Sequence, residues 1–150
     1  MPEKETLERA VEDKREGKSP STQAGEFVRE EIEHIREGKH GARSAKQAIA
    51  IGLSKARRAG VKLPAPGKGR ASKSARKQAA RDLRKGSKRS RKVSAKRSQA
   101  TSRALKREGH SAASKTALSR HAHAAAKKRS AASRSKAAKK AARTRKENRS

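Results

Sequence analysis

The sequence predicts a mostly α-helical fold that ends in a long, disordered, cationic tail. Two observations support this fold class. Apolar residues recur at helical spacing only before Pro64, and Leu, Ile, Val and Phe together account for 15 of the 150 residues. A strongly charged chain with so few large apolar residues cannot bury enough surface to order its whole length. We therefore predict an acidic head over 1–23, a helical hairpin over 24–66 and a low-complexity tail over 67–150.

The acidic head contains a predicted extra helix over about 3–16. Leu7, Ala10 and Val11 share a narrow face of this helix, and Gly17 follows as a plausible terminator. Two large apolar side chains cannot hold such a short helix in isolation, so it needs a partner surface.

The first helix of the hairpin is predicted over about 24–37. Val28, Ile32 and Ile35 recur at i, i+4 and i+7, which places them on one face. Gly38 comes next, and glycine permits the positive φ angle with which many helices end.

The second helix of the hairpin, over about 45–59, has clear signals at both ends. Ser44 is a good N-cap with Gln47 three residues later, as in a capping box. Gly60 supplies the expected end. One stripe of the helix consists of Ile49, Gly52, Leu53 and Ala56. A hairpin this small is marginal alone, so we expect it to self-associate or to bind a partner.

Beyond Gly67, Ala, Ser, Lys and Arg fill nearly every position of the tail. Ala, Lys and Arg favour helix, but like charges at i+3 and i+4 oppose it in free solution. The tail is therefore predicted to be partly helical and to gain helix when phosphates neutralise it.

Charge is segregated along the chain. There are 44 Lys and Arg against 14 Asp and Glu, and 11 of those acids precede Gly41. Residues 1–40 carry a net charge of −3, whereas residues 41–150 carry 36 cations against three acids, a net charge of +33. Such a segment is either a solvated spacer or a polyanion-binding surface, and nucleic acid is the abundant polyanion of the cell. The acidic head would then fold back on the tail or dock a basic partner.

The mode of binding follows from what the sequence lacks. Phe27 is the only aromatic residue, so bases cannot stack on the exposed aromatic platforms that single-strand binders use. We predict contacts to the phosphate backbone, duplex DNA as the favoured partner with RNA possible, and little sequence preference. The residues predicted to bind nucleic acid are Lys39, Arg43, Lys46, Lys55, Arg57, Arg58, Lys88, Arg89, Arg91, Lys92, Lys127, Lys128, Arg129, Lys139 and Lys140.

Enzymatic and metal chemistry have little support in the sequence. There is no Cys, and His121 and His123 stand among cations that repel a metal ion. The acids Glu30 and Glu31 are predicted to line the solvent face of their helix. We therefore predict no catalytic residue, no cofactor and no metal site.

The segment 46–60, KQAIAIGLSKARRAG, resembles the signature of a family of small basic bacterial proteins of unknown function. The similarity extends over about 24–66 and implies a bacterial origin but no established activity. Separately, the tail resembles the tails of bacterial histone-H1-like proteins in composition, which implies nucleoid binding by analogy.

The sequence thus favours a histone-like protein that binds and compacts DNA without sequence specificity. An RNA- or ribosome-associated protein is the first alternative, because A-form phosphates attract the same cations. An interaction protein whose hairpin oligomerises or docks a partner is the second. The expected location is the cytoplasm, at the nucleoid. No membrane span is expected, because no apolar run approaches the length needed.

Overall fold

The computed structural model describes residues 2–87 and 94–149, which form seven α-helices and one 3₁₀ turn. This confirms the predicted mostly α-helical class. The helices are α1 (Lys4–Arg15), α2 (Pro20–Arg36), α3 (Ala45–Arg58), α4 (Lys73–Gly86), α5 (Ala95–Lys106), α6 (Lys115–Lys127) and α7 (Ala131–Glu147), and the 3₁₀ turn is Ser111–Ala113. The chain divides into two compact units, one that runs up to Ser114 and one that begins at Lys115.

Helices α2 and α3 form the predicted hairpin and provide the core of the first unit. Phe27 and Ile35 are almost completely buried on α2. On α3 the buried face consists of small residues, Ala45, Ala48, Gly52 and Ala56. A Cβ atom at Gly52 would lie 2.6 Å from the Cα atom of Val28. The two helices are therefore so close that only glycine fits at this point.

The signals that predicted the ends of α3 are confirmed. The Ser44 hydroxyl accepts a hydrogen bond from the Gln47 backbone N–H (3.2 Å), and the Gln47 side chain accepts one from the backbone N–H of Arg43 (2.7 Å). At the other end Gly60 has φ +101°, and the N–H of the buried Val61 donates to Ala56. This is the arrangement by which a helix end satisfies its last carbonyls.

Helix α1 packs on α2 through a face that shares only Ala10 with the predicted one. Thr6, Ala10 and Asp13 are buried, whereas Leu7 and Val11 are 38% and 49% exposed. The prediction is wrong for Leu7 and Val11 because this helix packs through short side chains rather than through its two large apolar ones.

Helix α4 and residues 105–113 also belong to the first unit, although the sequence analysis assigns them to the tail. Helix α4 packs on α3, and its buried face contains Ala79 and Asp82. The loop before α3 pairs with the last turn of α5 and the chain just after it, since the Gly41 N–H donates to Leu105 (2.9 Å) and the Ala42 N–H to Gly109 (3.0 Å).

The second unit consists of α6 and α7. No residue of either helix is buried. The tail is thus partly helical, as predicted, and its helices present their side chains to solvent. Among the described residues, no helix combines the length and the apolar character needed to cross a bilayer.

The close approach of α2 and α3 leads to a stability prediction. We expect Gly52→Ala to lower the free energy of unfolding by about 1–3 kcal/mol, because the added methyl group meets the backbone of α2. The measurement is urea denaturation followed by circular dichroism.

Gly25→Ala is the matched control, since Gly25 also lies inside a helix but a Cβ atom there would meet nothing within 4 Å. This change should stabilise the protein by about 0.5–1 kcal/mol, because alanine loses less backbone entropy on folding. Equal effects of the two substitutions would contradict the close packing at Gly52.

Candidate nucleic-acid interface

The loop before α3 and the start of that helix carry three of the predicted contacts. Lys39 lies 3.0 Å from Glu37 and 3.2 Å from Glu3, and these hydrogen bonds raise the pKa of its ammonium group. Arg43 pairs with Glu108 at 3.3 Å, yet its side chain is 81% exposed. Lys46 is exposed on the first turn of α3. Arg43 and Lys46 are therefore accessible to a large anionic partner.

Lys55 has an internal role in the structure. Its ammonium group lies 3.4 Å from Glu30 and 2.6 Å from Glu31, and all three side chains are buried or nearly so. The prediction that Glu30 and Glu31 line the solvent face of α2 is wrong, since both are buried. Both carboxylates point at α3 and are neutralised there. Lys55 thus links the two helices, and its predicted contact with nucleic acid stays a prediction.

Arg57 is also directed inward. Its guanidinium donates to the carbonyls of Leu63 (3.1 Å) and Pro64 (3.2 Å), and the residue is 6% exposed. Burial lowers the pKa of this guanidinium below its ordinary value, and the negative charge of Asp82 opposes that shift. Arg57 therefore fastens the segment after α3 to the helix. Its neighbour Arg58 is exposed and reaches within 3.9 Å of Asp82.

The three acids after Gly41 all have cationic neighbours within the chain. Asp82 is buried, accepts hydrogen bonds from Ser54 (2.6 Å) and Gln78 (3.1 Å), and lies near Arg58. Glu108 pairs with Arg43, and Glu147 pairs with Arg143 at 2.8 Å. With 36 Lys and Arg in this segment, most of the positive charge has no acid of the same segment to neutralise it.

The predicted contacts of the second unit are all on the surface. Lys127 ends α6, Lys128 and Arg129 follow it, and Lys139 and Lys140 lie in the middle of α7; every one is exposed. Arg129 donates to the Ser133 hydroxyl, a local contact that leaves the guanidinium at the surface. The remaining predicted residues, Lys88, Arg89, Arg91 and Lys92, lie outside the described residues.

Helix α4 adds a cationic surface that the sequence analysis did not single out. Lys77, Arg81 and Arg84 surround an open hollow of about 510 Å³ whose floor includes Ala80 and Leu83. The three cations recur at i, i+4 and i+7, so they share one face of the helix. This spacing was present in the sequence, but without the packing of α4 on α3 it did not identify which face is exposed.

A model of a family of unknown function (DUF6496) matches residues 13–68 of this chain. The matched segment runs from the end of α1 through α2 and α3 and includes most of the loop before α4. The match agrees with the predicted resemblance to an uncharacterised family. The signature segment and the bacterial origin stay predictions. Neither the curated proteins nor the solved structures include a match to this chain.

The internal role of Lys55 can be tested against a matched lysine of the same helix. We expect Lys55→Ala to lower the free energy of unfolding by about 3–5 kcal/mol, because it leaves two buried carboxylates without their cation. Lys46→Ala, at an exposed position, should change it by no more than about 0.5 kcal/mol. Urea denaturation measures both. If Lys55→Ala weakened only duplex binding and left stability intact, the structural assignment of Lys55 would be wrong.

Proposed function

We propose that the protein binds nucleic acid through the phosphate backbone without sequence specificity, with duplex DNA as its main partner. Compaction or protection of DNA at the nucleoid is the role that this activity would serve. The polycationic second unit and the exposed cations of the first unit supply the binding surface. The proposal assigns no catalytic step to the protein.

The observation that carries the proposal is the imbalance of charge after Gly41. Thirty-six cations share that segment with three acids, and each of those acids already lies beside a cation of the chain. Like charges three and four residues apart destabilise a helix in water. A bound polyanion neutralises these charges and so removes the repulsion. Its condensed counterions are released into solution, and their gain in entropy favours binding.

The absence of an accessible aromatic side chain favours duplex over single strands. Phe27 is the only aromatic residue in the sequence, and it is 1% exposed in the core. Proteins that bind single strands gain much of their affinity by stacking bases on aromatic rings. Contacts to phosphates are available on any duplex and carry no direct information about its sequence.

An interaction protein that oligomerises through the hairpin has weaker support. Helix α1, helix α4 and the 3₁₀ turn all pack against the hairpin and cover much of its surface. The large apolar side chains left exposed among the described residues are Leu7 and Val11. The apolar area that these two side chains expose is only a small part of the roughly 800 Å² that each partner of a standard interface buries.

The proposal predicts that charge, rather than side-chain identity, determines binding. We expect a variant with Lys127, Lys128, Lys139 and Lys140 all changed to Gln to bind a labelled DNA duplex about 100-fold more weakly, because four phosphate contacts lose their counterion release. All four positions are exposed, so the fold should be unaffected. Fluorescence anisotropy at fixed salt, with protein freed of nucleic acid, measures the affinity.

The matched control changes the same four lysines to Arg, which keeps the charge and should keep the affinity. Two duplexes of unrelated sequence should bind equally well. Unchanged affinity of the Gln variant would contradict the proposal. An RNA duplex serves as competitor in the same assay, and its preferential binding would favour the RNA-associated alternative over DNA.

A further inference from the structure

Three side chains of the kind that bind metal ions meet where α2 ends and the loop before α3 begins. They are Glu31, His34 and His40, and one potential ligand atom from each lies within 4.8 Å of the others. Glu31 and His34 are three residues apart on α2 and so share a face. His40 approaches from the loop, and its ring stands edge-on to that of His34 with the ring centres 6.2 Å apart.

The hydrogen bonds of the two histidines leave one nitrogen of each ring able to bind a metal. The Nδ1 atom of His40 lies 3.1 Å from the Gly41 carbonyl, which can only accept, so Nδ1 carries the proton. The Nε2 atom of His34 lies 2.8 Å from the Glu3 carboxylate and donates to it in the same way. Metal-binding histidines almost always donate their second N–H to a carboxylate or a backbone carbonyl. Both histidines therefore have the outer contacts of a metal ligand.

Glu31 supplies the second observation. Its side chain is fully buried, and within the described residues neither carboxylate oxygen has a hydrogen bond of good geometry. Lys55 neutralises one oxygen as an ion pair at 2.6 Å and also donates to Glu30. The other oxygen lies 3.2 Å from Nε2 of His40. A cation placed between these two atoms would contact both of them.

The charges around these residues also favour a cation. Three carboxylates, those of Glu3, Glu30 and Glu31, surround the site, against the two ammonium groups of Lys39 and Lys55. With Lys55 paired to both buried carboxylates, the group as a whole still has one more carboxylate than ammonium groups, and a bound cation would offset that excess. This distinguishes the site from His121 and His123, whose neighbours in the sequence are cationic.

We propose that Glu31, His34 and His40 bind a divalent transition-metal ion of the Zn²⁺ class, with the fourth position taken by water. Imidazole and carboxylate ligands suit Zn²⁺ and its neighbours in the first transition row. Ligands about 2.0–2.2 Å from a tetrahedral ion stand about 3.3 Å from each other, close to the separation of Glu31 and His40. The other ligand atoms lie within 4.8 Å of one another, so they need to close by up to about 1.5 Å. The sequence-based prediction of no metal site stays untested, and the experiment below decides between that prediction and this proposal.

The bound ion has a structural role in this proposal. His40 lies in the loop that carries Lys39 and Arg43, and Glu3 connects the site to the start of α1. The backbone N–H of Glu3 also donates to Glu30 at 3.0 Å. A metal at this point joins α1, α2 and the loop, so its binding stabilises the folded state of the first unit.

Titration with Co²⁺ tests the site directly, because a tetrahedral Co²⁺ complex absorbs strongly in the visible region. The parent protein is the full chain carrying His121→Ala and His123→Ala, which removes the histidine pair of the second unit. We expect this parent to bind one equivalent of Co²⁺ with a tetrahedral spectrum, to release it to Zn²⁺, and to ignore Mg²⁺. Zn²⁺ should also raise its melting temperature.

Two further variants in that background, His40→Ala and His34→Gln, should each weaken Co²⁺ binding more than about tenfold. Circular dichroism checks that they fold. Absence of a saturable tetrahedral Co²⁺ spectrum in the parent would overturn the proposal whatever the variants do. Binding that survives both substitutions, or binding by the natural chain that disappears in the parent, would also overturn it.

Discussion

The packing of α2 on α3 requires two conditions at once, and the rest of the first unit depends on both. Gly52 permits the backbones to touch, and Lys55 neutralises Glu30 and Glu31 once they are buried between the helices. Close approach of the helices is not sufficient by itself, because without Lys55 it would bury two carboxylates that lack a cation. The desolvation free energy of buried charges is offset only when each charge has a well-placed partner of opposite sign. The interface is therefore specified by its ionic contacts as well as by apolar area, which suits a chain with few large apolar residues.

This arrangement separates two uses of charge within one molecule. Up to α3, cations and acids occur in similar numbers and pair with each other, for example Arg9 with Glu26 at 2.7 Å. Farther along the chain, cations greatly outnumber acids, and the cations of α6 and α7 are exposed. The first set holds the fold together, and under the proposed function the second set binds phosphates. Lys55 and Arg57 show that the same residue types serve both purposes, since each is surrounded by acceptors of the chain itself.

Local signals in the sequence were sufficient to predict α1, α2 and α3, but not the separate helices of the segment after Gly67. Ser44, Gln47 and Gly60 specify the ends of α3 through contacts between near neighbours, so they could be recognised without a structure. The burial of Glu31 could not, because its cation, Lys55, is 24 residues away in the sequence and the pairing exists only after the hairpin closes. The face of α1 was predicted only in part for a related reason: Ala10 is buried as expected, but the surface of α2 accepts the smaller Thr6 in place of Leu7 and Val11. The cluster proposed as a metal site was not identified from the sequence because His40 approaches from a loop.

Neutralisation of this cationic chain by phosphates is the central claim, and the salt dependence of its binding is the most direct test. The affinity of the nucleic-acid-free protein for a DNA duplex should be measured between about 50 and 200 mM NaCl. Displacement of condensed counterions from six or more phosphates predicts a loss of roughly 1,000-fold or more across that range. An affinity that stays constant over the same range, or no binding at the lowest salt, would contradict the account.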